Sequence, residues 1–288
     1  MLKAGFFTIL LTSALPAVGL PYDDSGASVI QLHVFGTLKK PLPDTDTIDF
    51  HSRGTGFLVS PDGLVLSAGH LIPAESLFDD LGFHIEGYFP VRDDDSFAAV
   101  DPPVTLKVIK AKTEPYDVAL LRIIDYKILK PFLSLCDAYK KGEKIDFAIL
   151  GYQGGDRLLT SNWGPIMAGA GAATNIVLQI PLNGGNSGGP LFNEQGKVFG
   201  IAIGERTAAG QRMNATALAV PMAKAMATLG DEASGIKGVS YNPDCNINLL
   251  PQTVVNISQN LPIVEMTLPP PPPCQEFKWT PLFLTSNL

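Results

Sequence analysis

Residues 182–191 read LNGGNSGGPL and hold four glycines, two asparagines and one serine. Glycines on both sides of Ser187 remove side-chain bulk and let the backbone adopt conformations that other residues avoid. One interpretation is a glycine-rich loop that joins two strands. The other is a nucleophilic serine whose neighbours, Gly185 among them, turn backbone N–H groups toward a substrate.

The chain around this loop is typical of an all-β protein. It contains 28 glycines and 24 prolines among 288 residues, and its apolar runs are short and bounded by turn residues. Residues 54–72 predict two strands around a Pro61-Asp62-Gly63 turn. A strand followed by a short helix is predicted over 217–230, and 129–143 read as a linker. Further strands are predicted at 28–38, 104–123, 144–152, 164–173, 175–182 and 197–205.

The bulk composition narrows the class of protein. The chain is 45% hydrophobic, which is ample for a buried core. Its formal net charge is −7, which argues against a nucleic-acid-binding surface.

The N-terminus predicts export. Lys3 is followed by an apolar stretch to about Leu15, and Ala17 and Gly19 are the small residues expected before a cleavage site. We predict a signal peptide over 1–19 and a periplasmic or extracellular protein. A membrane anchor is the alternative, but the run is short for a span and ends at Pro16, so no stable anchor is expected.

The three cysteines cannot all pair within one chain. Cys245 and Cys274 are near each other in sequence, which favours them as the pair in an oxidising compartment and leaves Cys136 as a buried or free thiol. Both lie in a C-terminal extension over 231–288 that contains the run LPPPPPC at 268–274. A proline run of this kind is typical of a rigid spacer, of a segment that a partner protein binds, or of an arm folded on the domain.

Three side chains form a candidate set for serine hydrolysis: His70, Asp117 and Ser187. The reaction needs a hydroxyl to attack the carbonyl, an imidazole to take its proton and a carboxylate to orient the imidazole. It also needs N–H donors for the oxyanion, for which Gly185 and Ser187 are the candidates. Taken singly, each side chain also fits an ordinary structural role.

Taken together, the three motifs resemble those of trypsin-like serine proteases. The stretches are TGFLVSPDGLVLSAGHLI (55–72), YDVALLRI (116–123) and GNSGGPLFNEQGKVFGI (185–201), in the order His, Asp, Ser. The bacterial high-temperature-requirement proteases are the most similar branch, and KKGEKIDFAILGY (140–152) and ALAVPMAKAMATL (217–229) add to the likeness. The resemblance covers about residues 28–230.

The resemblance implies a fold of two six-stranded antiparallel β-barrels, at about 28–128 and 140–230, in a protease domain over 20–230. It implies His70 as general base, Asp117 as orienting carboxylate, Ser187 as nucleophile and Gly185 with Ser187 as oxyanion donors. It implies no metal and no organic cofactor, and a protein or peptide as substrate.

The sequence departs from that branch in several places. Ser67-Ala68-Gly69 precede the histidine, the region between His70 and Asp117 is longer, and no PDZ module is expected after the protease domain. The oligomeric state stays open.

The resemblance also indicates the substrate pocket. Pro181 stands where a basic-specific protease has an acidic residue, and the other predicted wall is Ala217, Leu218 and Ala219. We therefore expect a small to medium aliphatic or uncharged side chain at the cleaved position.

Two weaker motifs are assigned no chemistry. The acidic run RDDDS (92–96) could offer carboxylates to calcium, but it lacks the EF-hand pattern and is read as a solvated loop. GAGAA (169–173) has no GK[ST] after it and is not a phosphate loop.

The sequence therefore predicts an exported serine endopeptidase. The alternatives are a catalytically silent binding module of the same fold, a protease inhibited by its own tail, and an interaction protein that uses the proline run.

Overall fold

A computed structural model describes residues 25–42, 46–93, 96–100, 102–127, 130–137, 146–166, 175–208, 211–230, 239, 241–242 and 245. The chain divides into two compact units, Met1–Leu249 and Leu250–Leu288, and every described residue belongs to the first. The predicted signal peptide lies outside the described residues, as does most of the predicted C-terminal extension.

The described residues are mainly β-strand. In chain order the strands are β1 (Val29–Leu38), β2 (Asp49–Leu58), β3 (Leu64–Ser67), β4 (Phe78–Tyr88), β5 (Pro90–Asp93), β6 (Ser96–Ala99), β7 (Val104–Lys112), β8 (Val118–Ile123), β9 (Leu135–Cys136), β10 (Asp146–Gly151), β11 (Thr160–Pro165), β12 (Ile176–Leu178), β13 (Pro190–Phe192), β14 (Val198–Ala208), β15 (Gln211–Pro221) and β16 (Tyr241–Asn242). The helix α1 (Met222–Leu229) follows β15. Short 3-10 helices lie at Gly26–Ser28, Gly69–Leu71, Glu75–Leu77 and Gln153–Gly155.

The first barrel is closed by six antiparallel strands in the order β1-β2-β3-β8-β7-β4. Side chains alternate along a strand, so Ile30, Leu32 and Val34 of β1 fill the interior while His33 and Phe35 face outward. A Pro61-Asp62-Gly63 turn joins β2 and β3 as predicted, with Gly63 at φ 84°. The closed barrel brings the ends of β3 and β8 side by side.

The second barrel is a curled sheet in the order β11-β10-β13-β14-β15-β12. An antiparallel bridge between Ile166 and Leu178 joins its two ends. Its interior holds large apolar side chains such as Phe147, Ile149 and Phe199. The predicted all-β fold of two barrels is confirmed, with the second barrel less completely closed than the first.

The helix α1 and the facing sides of the two barrels pack together in one apolar core. Met222, Ala225 and Leu229 of α1 pack in the same cluster as Phe57 of the first barrel and Leu150 of the second. The helix ends at Gly230, whose φ is 64° and whose N–H donates to the Met226 carbonyl at 2.9 Å. The predicted short helix and its glycine stop are both present.

The predicted cysteine pairing is wrong. A disulfide joins Cys136 to Cys245, with Cα atoms 5.2 Å apart, and Cys274 lies outside the described residues. The cause is a strand pairing that the spacing does not reveal. The pair β9 and β16 run parallel, Asn242 lies opposite Cys136, and β9 itself occupies part of the predicted linker.

The acidic run at 92–96 belongs to a β-hairpin rather than to a loop. Strands β5 and β6 pair Asp93 with Ser96, and residues 94–95 between them lie outside the described residues. No group of three or more His, Cys, Asp or Glu side chains in the described part of the chain could hold a metal ion. In the same part, no helix has the length and apolarity that a membrane crossing requires.

Candidate active site

His70 and Asp117 meet at the end of two paired strands. His70 lies in the 3-10 turn that follows β3, Asp117 precedes β8, and Ser67 of β3 pairs with Ala119 of β8. The His70 Nδ1 atom lies 2.6 Å from Asp117 Oδ2, and the His70 backbone N–H donates to Asp117 Oδ1 at 2.7 Å. With Nδ1 engaged, Nε2 is the ring nitrogen left to exchange a proton with another group.

Gly69 allows this approach. A Cβ atom at Gly69 would overlap the carbonyl of Lys112 in β7 and would lie 3.0 Å from Asp117 Oδ1. Any side chain there would push the histidine turn away from the carboxylate. The glycine before the histidine is therefore a packing requirement of the pair.

Ser187 lies in the loop that enters β13, next to the histidine turn. Its carbonyl accepts from the Thr55 N–H at 2.8 Å, and a Cβ atom on the following Gly188 would lie 3.0 Å from the N atom of Ala68, two residues before His70. The serine is half-buried. Within the described part of the chain the Ser187 hydroxyl has no hydrogen-bond partner, His70 included. Such contacts are often long in unliganded enzymes and tighten with substrate.

The directions of the Gly185 and Ser187 N–H groups follow from the hydrogen bonds of the peptides to which they belong. The Gly184 carbonyl accepts from the Gly154 N–H at 2.6 Å, and the Asn186 carbonyl accepts from the Gly189 N–H at 3.0 Å. Both peptides are trans, so the N–H groups of Gly185 and Ser187 point away from those bonds. Neither N–H donates to any acceptor in the described part of the chain.

The conformation of the serine loop requires glycine at two positions. Gly185 has φ 92° and Gly188 has φ 87°, a region that other residues rarely adopt. A Cβ atom at Gly185 would overlap the Tyr152 carbonyl, and one at Gly188 would overlap the Thr55 carbonyl. The glycine-rich sequence therefore reflects both backbone conformation and close packing between the barrels.

Thr55 is a residue of the site that motif reasoning does not single out. It is fully buried, its hydroxyl donates to the Gly185 carbonyl at 2.7 Å, and that hydroxyl accepts from the Tyr152 N–H at 3.1 Å. The Ser67 hydroxyl in turn donates to the Thr55 carbonyl at 2.7 Å. The sequence signal is faint: a threonine enclosed by Gly54 and Gly56 at the start of an apolar run.

The predicted substrate-pocket residues do not share one surface. Ala217 and Ala219 are fully buried in the interior of the second barrel, whereas Leu218 faces the other side of β15 and is half-buried. Pro181 is exposed. Of the four, Pro181 and Leu218 are accessible to a ligand.

A third element supports the serine loop from behind. In the 3-10 turn Gln153–Gly155, the Gly154 N–H donates to the Gly184 carbonyl of the serine loop. The Gly155 carbonyl of the same turn accepts from the Gln31 side chain at 3.0 Å and from Arg53 Nη1 at 3.3 Å. Both of those side chains come from the first barrel. The loop that carries the free N–H groups is therefore held by residues of both barrels.

Comparison with known proteins agrees with this geometry. Residues 54–201 match the family model described as a trypsin-like peptidase domain. A probable periplasmic serine endoprotease, DegP-like, from Pseudomonas fluorescens is 32% identical over 183 residues, which is 61% of this chain and 34% of that protein. A protein of the same description from Chlamydia pneumoniae is 27% identical over 156 residues, which is 52% of this chain and 28% of that protein. This chain spans about a third of the length of such relatives.

A solved structure shares the fold. The crystal structure of Rv3671c protease, inactive form, aligns with a TM-score of 0.50 and 20% sequence identity, covering 73% of this chain and 90% of that chain.

Proposed function

The chain belongs to the family of trypsin-like peptidase domains, and from this premise we propose that it is a serine endopeptidase that forms an acyl-enzyme on Ser187. The observation that carries the proposal is the two-point contact between His70 and Asp117 beside the Ser187 loop. A histidine held in this way has one ring nitrogen fixed and the other available for proton transfer.

The reaction begins with the attack of Ser187 Oγ on the substrate carbonyl, while His70 Nε2 takes the hydroxyl proton. The Asp117 carboxylate stabilises the resulting imidazolium and keeps its ring oriented. The N–H groups of Gly185 and Ser187 donate to the oxyanion of the tetrahedral intermediate.

Collapse of that intermediate breaks the C–N bond, and His70 gives its proton to the leaving amine. Water then attacks the acyl-enzyme while His70 takes one of its protons. The acyl C–O bond to Ser187 breaks, His70 returns the proton to Ser187 Oγ, and the acid product is released. The cycle uses side chains and backbone groups of this chain, one substrate and one water.

The proposal includes export of the protein to the periplasm or the cell exterior. Residues 1–19 have the pattern of a signal peptide, and the Cys136–Cys245 disulfide fits an oxidising compartment. The relatives described above are named periplasmic.

The proposed preference at the cleaved position is a small to medium uncharged side chain. Pro181, which is exposed, offers no carboxylate to a basic side chain, and the accessible Leu218 is apolar. A panel of chromogenic peptides that differ at that position tests the preference, and the fastest cleavage after Arg or Lys would overturn it.

The experiment that tests the function is labelling of the mature protein by a fluorophosphonate, which reacts with activated serines. We expect wild type to be labelled, Ser187→Ala to be unlabelled and His70→Ala to be labelled far more slowly. Ser161→Ala is the matched control, because Ser161 is exposed on β11 and lies outside the site. A folded wild type without labelling, or a Ser187→Ala variant labelled as fast as wild type, contradicts the proposal.

A further inference from the structure

Thr55 connects the first barrel to the two residues that carry the free N–H groups. Its hydroxyl donates to the Gly185 carbonyl and its backbone N–H donates to the Ser187 carbonyl. We infer that Thr55 is a positioning residue for the oxyanion site, which it controls through the carbonyl groups of the same two residues. The inference rests on the proposed function, since it concerns how that site is held.

The peptide planes around Gly185 explain why a restraint is needed. The Gly184 carbonyl is held by the Gly154 N–H, which fixes the peptide that carries the Gly185 N–H. The next peptide is held at both ends: the Gly185 carbonyl accepts from the Thr55 hydroxyl at 2.7 Å, and the Asn186 N–H donates to the Asn183 carbonyl over a longer 3.3 Å. Glycine at φ 92° rotates at little cost, so without the hydroxyl the Gly185–Asn186 peptide can shift, and the neighbouring peptide that carries the Gly185 N–H then depends on the Gly154 bond to keep its direction.

The same arrangement holds Ser187 on both sides. The Gly189 N–H bonds the Asn186 carbonyl, and the Thr55 N–H bonds the Ser187 carbonyl. One residue of the first barrel therefore restrains both donors, which lie on the second.

The direction of the Thr55 hydroxyl is determined by its partners. The Tyr152 N–H can only donate, so the Thr55 oxygen accepts from it, and the hydroxyl hydrogen is left for the Gly185 carbonyl. Thr55 is 0% exposed, so water does not replace either bond. A valine at this position has nearly the same shape but removes the hydroxyl that bonds both the Gly185 carbonyl and the Tyr152 N–H.

The test compares Thr55→Val, which lacks the hydroxyl, with Thr55→Ser, which keeps it. Each variant hydrolyses an ester of an uncharged acyl group and the matching thionoester, whose sulfur is a weak hydrogen-bond acceptor. We expect kcat for the ester to fall about 10- to 100-fold in Thr55→Val, with KM within about threefold of wild type, because the loss is confined to oxyanion stabilisation. The ester-to-thionoester rate ratio should fall by a similar factor, and Thr55→Ser should stay close to wild type in both measurements.

Thr160→Val is the matched control. Thr160 in β11 also donates its hydroxyl to a glycine carbonyl, that of Gly151 at 2.9 Å, but it contacts neither donor residue of the serine loop. We expect its ester-to-thionoester ratio to equal that of wild type. If Thr55→Val does not fold, Thr55→Ala removes the same hydroxyl without a second methyl group and takes its place.

The outcomes separate this inference from the proposed function. Wild-type kinetics in folded Thr55→Val, or an equal loss on ester and thionoester, overturns the positioning role while the proposed function stands. A wild-type protein that neither hydrolyses the ester nor reacts with a fluorophosphonate overturns the proposed function itself.

Discussion

His70 contacts Asp117 twice, through its ring Nδ1 at 2.6 Å and through its backbone N–H at 2.7 Å, and each contact uses a different carboxylate oxygen. Both contacts need an acceptor, which an ionised carboxylate supplies at both oxygens. The histidine side chain is 39% exposed and the aspartate 15%, so the carboxylate lies on the protein side and the imidazole on the solvent side. This arrangement fixes the ring orientation before any substrate arrives.

Asp117→Asn should lower kcat by about 10³- to 10⁴-fold, because an amide offers one acceptor and one donor where the native contacts need two acceptors. Peptide or ester hydrolysis under saturating substrate measures the effect. Asp49→Asn is the control, since Asp49 is exposed on β2 and away from the histidine, and its activity should match wild type. Activity of Asp117→Asn within tenfold of wild type would argue against the proposed role.

Gly188→Ala should destabilise the protein and remove most of its activity. The residue has φ 87°, and an added Cβ would overlap the Thr55 carbonyl, so β2 or the serine loop must shift. We expect a loss of at least about 2 kcal/mol in the free energy of unfolding, the sum of a left-handed conformation and a backbone clash. Urea unfolding followed by tryptophan fluorescence measures it.

Gly82→Ala separates the two contributions. Gly82 has φ 69°, and a Cβ added there would have no atom within 4 Å. This variant should lose about 1 kcal/mol through backbone conformation alone and keep full activity. Equal effects of the two substitutions on activity would show that the contact with Thr55 is unimportant.

The sequence was a good guide where the determining contacts are local. Apolar runs bounded by turn residues predict the strands, and the glycine next to His70 and those around Ser187 mark close backbone packing that the structure contains. It could not predict the Cys136–Cys245 bond, because that depends on β16 pairing with β9 across more than a hundred residues. Nor could it show that Ala217 and Ala219 face the core, since both faces of β15 carry apolar residues.

Acidification should destabilise the fold through His33. Burial, together with the nearby Arg53 guanidinium, lowers the pKa of His33 below its usual 6.5, although Glu86 opposes the shift. As the pH falls below 6.5, the unfolded chain binds a proton more readily than the folded protein, so the free energy of unfolding decreases. The loss is complete once the pH is below the lowered pKa of the folded state.

His33→Phe removes this titration and keeps a ring against Tyr88, whose centroid lies 4.7 Å from that of His33. The melting temperature of the variant should fall less than that of wild type between about pH 7.5 and about pH 5.5. Parallel pH profiles for the two proteins would contradict a lowered His33 pKa.

Loss of the Cys136–Cys245 disulfide should destabilise the protease domain. The bond closes a loop with a sequence separation of 109 residues, and cross-links that restrain the unfolded chain typically contribute about 2–4 kcal/mol. The bond also holds Cys245 where its carbonyl accepts from Lys197 Nζ at 2.6 Å, beside the entrance to β14. Cys136→Ala combined with Cys245→Ala should therefore lower the urea midpoint, whereas Cys274→Ala should leave it unchanged.

Peptide mapping without reduction gives the direct check: a cross-linked peptide pair containing Cys136 and Cys245 is expected, and a Cys245–Cys274 pair would overturn the assignment.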